Sequence, residues 1–212
     1  AAYFNDLGVT QAKNNNFTAA AASFQKALEL SPDYEKPLYN LGSLEFRLGK
    51  YKVAIKHFHR FIQLSKQDPV AYYKLAHAFS AEGNARKAEI NYKKALKINS
   101  DYIDVIIDMG LLYIITGFYN RAIKQFEKAL KIDPQNSYIT GLLFHTSQVI
   151  ADFKKINKWA SVLNQLTTQT LKAGQGLLET PFCSVARKID SEENFRIASA
   201  WSKNIQDSTS GF

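Results

Sequence analysis

The chain has 212 residues, 46% of them hydrophobic and 22% charged, which predicts a folded core and argues against intrinsic disorder. No run of about 18 apolar residues occurs, so we expect no contact with a membrane through a spanning helix. The formal net charge of +8 comes with one cysteine, Cys183, which allows no intrachain disulfide and favours a reducing, cytoplasmic location.

The positive charge is spread along the chain. Residues 1–136 contain 19 basic and 13 acidic residues, and residues 137–212 contain 8 and 6. A nucleic-acid-binding surface concentrates its basic residues on one face, often beside aromatic side chains on which bases stack. We therefore predict a solvated, lysine-rich surface and no nucleic-acid partner.

Residues 1–136 contain an internal repeat with a period of 34, in four copies at 1–34, 35–68, 69–102 and 103–136. Three of the recurring positions carry the pattern. Position 8 holds Gly8, Gly42, Ala76 and Gly110; position 20 holds Ala20, Ala54, Ala88 and Ala122; position 24 holds Phe24, Phe58, Tyr92 and Phe126. Small residues allow two helices to approach closely, and the aromatic residue fills the space beside them.

Each repeat is predicted to form two antiparallel helices, at about positions 1–14 and 17–30. The turn between them contains Asn15, Gly49, Gly83 or Gly117, residue types that suit a positive φ after a helix. The aspartates near the following helix, Asp33, Asp101 and Asp133, are expected to cap it.

This pattern resembles the tetratricopeptide repeat, with small residues at positions 8, 20 and 27 and an aromatic residue at 24. The resemblance implies an all-α fold, a right-handed solenoid of helical hairpins with a helical C-terminal extension. Phe61 departs from the pattern at position 27, where the other copies have alanine, so the junction of repeats 2 and 3 is expected to be splayed or shifted.

Beyond the repeats, we predict a capping helix at 137–153 and a helical extension at 154–212, with helices at about 155–173 and 192–205. The layout resembles the segment after the last repeat in bacterial O-linked N-acetylglucosamine transferases of the SPINDLY-like branch. The corresponding positions are Ala151, Asp152, Phe153, Pro181, Phe182, Asp190, Ala198 and Trp201. The first element of that family is Cys-Asp-Trp, so Ala151 and Phe153 depart from it. If the resemblance holds, the chain is the substrate-recognition region of a larger glycosyltransferase whose catalytic domain lies outside it.

No residue of the chain is predicted to be catalytic, to bind a cofactor or to ligate a metal. His57 and His59 are two residues apart on a predicted helix and point in different directions, so they cannot easily share a metal ion. Cys183 has no histidine nearby in sequence that would activate it. The glycine-rich phosphate motifs are absent.

In the tetratricopeptide family, the first helix of each hairpin lines a concave groove that binds a protein or peptide. The resemblance implies the following groove residues: Asn5, Lys36, Tyr39, Asn40, Phe46, Arg47, Tyr73, Lys74, His77, Asp108 and Leu111. The basic residues among them would attract an acidic partner. Asn40 stands where the glycosyltransferase branch holds peptide backbone, but Asp6, Lys74 and Asp108 replace asparagine in the other repeats.

Repeat 4 would place Ile107, Leu111, Ile114 and Ile115 on this normally hydrated face. They could be covered by residues 155–205 or by a partner, or could pack into the next helix. Two functions remain open: a non-enzymatic interaction scaffold, and the repeat region of a glycosyltransferase. The oligomeric state is not determined by the sequence.

Overall fold

The computed structural model describes residues 1–172, which form ten α-helices and contain no strand. In chain order the helices are α1 Ala2–Lys13, α2 Phe17–Leu30, α3 Glu35–Arg47, α4 Tyr51–Leu64, α5 Pro69–Ala81, α6 Ala85–Ile98, α7 Ile103–Ile115, α8 Tyr119–Ile132, α9 Ser137–Val149 and α10 Phe153–Lys172. The predicted all-α class and the two helices in each 34-residue period are confirmed.

The described chain divides into two compact units, one from Ala1 to Leu112 and one that begins at Tyr113, so the boundary falls within α7. In the second unit, α9 and α10 begin and end within a few residues of the helices predicted at 137–153 and 155–173. The predicted helix at 192–205 lies outside the described residues, as do Cys183 and the matches to the glycosyltransferase linker from Pro181 onward.

In repeats 1 and 2, close contact between the paired helices depends on glycine at position 8. A Cβ atom added to Gly8 would lie 2.6 Å from Cε1 of Phe24, and one added to Gly42 would lie 2.5 Å from Cε1 of Phe58. Real Cβ atoms are not found at such distances, so any side chain here would force the helices or the rings to move. The recurring glycine and aromatic residues of the sequence are therefore one packing unit.

The junction of repeats 2 and 3 accommodates the large residue at position 27. Phe61 is 6% exposed and belongs to one buried cluster with Leu38 of α3 and Ala71 of α5. The edge of the Tyr39 ring also packs on Phe61, with 5.8 Å between ring centres. The bulky ring thus fills this junction as part of the core.

The turns within the hairpins have the predicted backbone conformation. The φ angles are 59° at Asn15, 74° at Gly49, 86° at Gly83 and 78° at Gly117. A residue in this left-handed region redirects the chain after the first helix so that the second can pack against it.

The predicted aspartate caps are wrong for Asp33 and Asp133. The residue before α3 is Tyr34, and no side chain accepts a hydrogen bond from the start of that helix. Asn136 caps α9 by accepting from the Ile139 amide at 3.0 Å, while Asp133 accepts from the Asn136 side-chain amide at 2.9 Å. Asp133 therefore holds the side chain of the capping residue in place. It does not cap α9 itself, because the helix begins three residues later than the position of Asp133 predicted.

The second unit has buried polar residues that bond to their own helix. The hydroxyl of Thr146 donates to the carbonyl of Leu142, and that of Ser147 donates to the carbonyl of Leu143, both at 2.6 Å. These bonds allow hydroxyl groups to lie in the core without an unsatisfied donor.

Asp152 caps α10 by accepting from the Lys155 amide at 3.1 Å, and this hydrogen bond lowers the pKa of the carboxyl.

Candidate functional site

The first helices of neighbouring hairpins contact each other through a row of side chains in the first unit. Each contact joins position 5 of one repeat to position 6 of the next, a separation of 35 residues. Asn40 Nδ2 donates to Asn5 Oδ1 at 2.8 Å, Lys74 Nζ lies 5.9 Å from the ring centre of Tyr39, and Tyr73 Oη donates to Asp108 Oδ2 at 3.0 Å. We call these six residues the floor row.

The floor row uses different chemistry at each junction. The first contact joins two amides, the second a cation and an aromatic face, and the third a phenol and a carboxylate. Asn5 is only 4% exposed, and its amide also donates to Asp6 Oδ1 at 3.1 Å. Its polar atoms are thus already engaged within the fold, whereas Asn40 remains half-buried.

Aromatic rings cluster around the third contact. The Tyr73 ring stacks on His77 at 5.9 Å with an interplanar angle of 8°, and His77 lies 4.7 Å from Phe46 of the preceding repeat. Tyr102 packs against Tyr73 with its ring centre 5.4 Å away. The predicted groove residues Phe46, Tyr73 and His77 are therefore brought together, while Tyr102 is an addition.

The ionisable groups of this cluster are shifted mainly by burial. Burial raises the pKa of Asp108, and His77, Lys74 and the Tyr73 hydrogen bond oppose the shift only in part. Burial also lowers the pKa of His77 and raises that of Tyr73, which keeps the imidazole neutral and the phenol protonated at neutral pH. The cluster consequently holds one carboxylate whose charge is poorly solvated.

Beside the first floor contact lies a cleft of about 260 Å³. The residues that line it are Val9, Ala12, Lys13, Phe24, Asn40, Ser43, Leu44 and Arg47. Ser43 Oγ is buried and has no hydrogen-bond partner among the residues that the structure describes. The cleft thus combines an apolar wall with a polar atom that a ligand could satisfy.

Two basic side chains of α3 differ in how firmly they are held. The Arg47 guanidinium lies 4.7 Å from the ring centre of Phe17, and its Nη2 donates to Asn15 Oδ1 at 3.2 Å. Lys36 is exposed at the start of α3. Arg47 is therefore positioned by repeat 1 although it belongs to repeat 2.

Several residues of this site were absent from the predicted groove. Ala12 and Leu44 line the cleft, and Phe17 and Asn15 hold Arg47. Apolar residues in an amphipathic helix are ordinarily assigned to the core, so the sequence offered no signal for Leu44. Tyr102 lies at the end of a repeat, outside the groove positions of the family.

The apolar residues of repeat 4 are unevenly exposed. Ile107, Leu111 and Ile114 are half-buried, whereas Ile115 is 78% exposed. The proposed cover by residues 155–205 involves a segment that lies largely outside the described residues. What covers this face therefore stays a prediction.

The histidines and acids of the described residues do not converge on a metal site. Burial lowers the pKa of both His57 and His59. Within residues 1–172, no three His, Cys, Asp or Glu side chains are grouped so that they could hold a metal ion. In the same residues, no helix is both long and apolar enough to cross a membrane.

Paired helices that repeat every 34 residues, with a row of contacts along their first helices, define the class of helical-hairpin repeat proteins. Tetratricopeptide repeat models match residues 1–34, 38–66, 69–102 and 104–136, which together are more than half of the chain. The chain therefore belongs to the tetratricopeptide repeat family.

Two curated relatives illustrate the range of this similarity. BBSome complex member BBS4 of Bos taurus is 28% identical over 118 residues, covering 56% of this chain and 22% of the relative. UDP-N-acetylglucosamine–peptide N-acetylglucosaminyltransferase of Giardia intestinalis is 24% identical over 161 residues, covering 73% of this chain and 9% of the relative. The chain thus spans less than a quarter of either protein.

Two solved structures share the fold. MamA superposes with a TM-score of 0.75 at 21% identity, covering 84% of this chain and 97% of that one. YrrB is described as a TPR protein with an unusual peptide-binding site. It superposes with a TM-score of 0.63 at 17% identity, and the match covers 77% of this chain and 84% of the YrrB chain. At these identities the likeness concerns the fold alone.

Proposed function

We propose that this chain is a non-enzymatic interaction scaffold that binds an extended segment of a partner protein along the floor row. The observation that carries the proposal is the cleft beside the Asn5–Asn40 contact, where Ser43 Oγ is buried with no hydrogen-bond partner in the described part of the chain. A peptide has both donors and acceptors along its backbone, so it is suited to satisfy such an atom.

The side chains around the cleft favour a particular kind of peptide. Val9, Ala12 and Leu44 offer an apolar wall for one side chain of the ligand. Lys13 and Arg47 line the same cleft, so a carboxylate next to the apolar residue would gain favourable charge interactions. The expected ligand is an extended peptide that combines an apolar anchor with acidic neighbours.

The comparisons agree with this proposal in general terms. YrrB is described as having a peptide-binding site, and BBS4 is described as a member of a complex. Binding of a protein partner through the repeats is therefore the function that we assign to the chain.

The proposal can be tested by selecting peptides from a random display library with the wild-type protein. We expect peptides with an apolar residue beside acidic ones, and we expect their affinity to fall in Arg47→Glu and Lys74→Glu by about tenfold or more, because a favourable charge contact becomes repulsive. Lys56→Glu, an exposed residue on the second helix α4, is the matched control.

Two results would contradict the proposal. One is that the selected peptides bind Arg47→Glu, Lys74→Glu and Lys56→Glu equally well. The other is that affinity does not change with ionic strength, since charge contacts at an exposed groove weaken as salt is added.

A second candidate is the repeat region of a protein glycosyltransferase, which the similarity to the Giardia enzyme over 73% of this chain favours. Only one asparagine pair, Asn5 and Asn40, lies in the floor row, whereas that resemblance implies a ladder of asparagines. An immunoblot of the native protein in its own cells distinguishes the candidates. A mass near 23.9 kDa supports the scaffold alone, and a much larger mass calls for an assay of sugar transfer from a nucleotide donor.

A further inference from the structure

The second unit contains a cleft of its own, of about 320 Å³. The residues that line it are Lys124, Glu127, Lys128, Leu130 and Lys131 of α8, and Lys158 and Trp159 of α10. Four lysines and one glutamate therefore line a small volume. A concave surface of one sign concentrates oppositely charged ligands.

The lysines of α8 share one side of that helix. Lys124, Lys128 and Lys131 follow one another at intervals of four and three residues, which places them on the same face. Lys124 and Lys128 are four residues apart and repel each other slightly, so this pair of like charges does not stabilise α8.

Trp159 supplies an independent sign of a missing ligand. Its side chain is only 4% exposed, and its Nε1–H has no hydrogen-bond acceptor among the residues that the structure describes. Buried indole N–H groups usually have an acceptor, since leaving one unpaired costs about 1–3 kcal/mol. Lys158 Nζ lies 4.1 Å from the ring centre, so the indole is also close to positive charge.

We propose that this cleft binds an acidic segment of a partner polypeptide, at a site separate from the floor row. Carboxylates of the ligand pair with Lys124 and Lys131, and one of their oxygens accepts the hydrogen bond of the Trp159 indole. Leu130 and the lysine stems contact an apolar side chain of the same segment.

A nucleic acid fits the same residues less well. Glu127 stands among the lysines and would repel a phosphodiester chain at close range. Proteins that bind single strands stack bases on exposed aromatic faces, whereas Trp159 is buried. Acidic side chains, which are spaced along a flexible peptide, can reach the lysines while avoiding Glu127.

Fluorescence of Trp159 provides a local measurement of binding. The chain has two tryptophans, so Trp201→Phe leaves Trp159 as the only one. This protein is titrated with a short synthetic peptide of glutamates around a single leucine. We expect a saturable change in emission, and about a tenfold loss of affinity when Lys124→Glu and Lys131→Glu are added together.

Lys154→Glu is the matched control, because Lys154 is exposed on α10 but does not line the cleft. Its affinity should stay close to that of the parent protein. Arg47→Glu should also leave the fluorescence change intact, which separates this site from the floor row and from the function proposed above.

Several outcomes would overturn the inference. The titration could give no saturable change, or Lys154→Glu could weaken binding as much as the pair of cleft substitutions. Loss of the response in Arg47→Glu would place the peptide on the floor row instead. Tighter binding of a single-stranded oligouridylate than of the peptide would assign the cleft to nucleic acid.

Discussion

The phenol of Tyr73 donates a hydrogen bond to Asp108 Oδ2 at 3.0 Å, although the two residues are 35 positions apart. The same separation joins Asn5 to Asn40 and Tyr39 to Lys74. Because the repeat is 34 residues long, a separation of 35 means that a residue at position 5 of one repeat contacts the residue at position 6 of the next. The floor row is therefore a direct consequence of the repeat period.

Removal of the phenol should weaken the third floor contact. Tyr73→Phe leaves Asp108 half-buried without this donor, and we expect the free energy of unfolding to fall by about 2 kcal/mol, as is usual for a hydrogen bond to a charged group. Chemical denaturation monitored by circular dichroism measures the change.

Tyr72→Phe on the same helix is the control for Tyr73→Phe. Phenylalanine at this position keeps the ring that lies 5.7 Å from Lys94 Nζ, so loss of the hydroxyl should change stability by no more than about 0.5 kcal/mol. Equal effects of the two substitutions would show that the Tyr73–Asp108 bond does not contribute to stability.

The ionised form of Asp108 should destabilise the fold. Burial raises its pKa above the ordinary value of 3.8, so between these two pKa values the native protein binds more protons than the unfolded chain. The protonated carboxyl therefore adds to the free energy of unfolding at low pH, and this contribution is lost as the pH rises through the raised pKa. Asp108→Asn should therefore be more stable than the wild type at neutral pH.

The pH dependence tests the cause of that difference. The advantage of Asp108→Asn should disappear below pH 3.8, where the carboxyl is protonated in both states. Denaturation curves at several pH values measure it, with the exposed Asp33→Asn as control. A variant less stable than the wild type at neutral pH would contradict the expected sign.

Gly42, at position 8 of repeat 2, should tolerate no side chain. Gly42→Ala places a Cβ atom 2.5 Å from the Phe58 ring, and we expect a loss of about 1–3 kcal/mol from the resulting overpacking. Gly141→Ala in α9 is the matched control, because nothing lies within 4 Å of its added Cβ. That substitution should raise helix stability by up to about 1 kcal/mol. Thermal unfolding of both variants distinguishes packing from helix propensity.

Ala151, between α9 and α10, should be improved by glycine. Its φ is 53°, a conformation that costs a residue with a Cβ atom about 1–2 kcal/mol. Ala151→Gly is expected to raise the free energy of unfolding by about 1 kcal/mol. The control is Ala160→Gly within α10, which should lower the free energy of unfolding by about 1 kcal/mol. Loss of stability in both variants would mean that the backbone at Ala151 is not strained.

The sequence alone determined the helical hairpins and their spacing. Small residues at position 8 and aromatic residues at 24 are required wherever two helices approach closely, so Gly8 with Phe24 and Gly42 with Phe58 are visible as a period. The turn residues Asn15 and Gly49 were predictable for a similar reason, because the required backbone angle depends on a single residue.

Only the tertiary structure decided which side chains meet across repeats. The burial of Asn5, the bond from Tyr73 to Asp108 and the cleft around Trp159 depend on how helices from different parts of the chain are placed. The cap of α9 shows the same limit on a smaller scale, since Asn136 and not Asp133 precedes the helix. Local patterns define each element because they act over a few residues, whereas these contacts depend on the distances and orientations that packing produces.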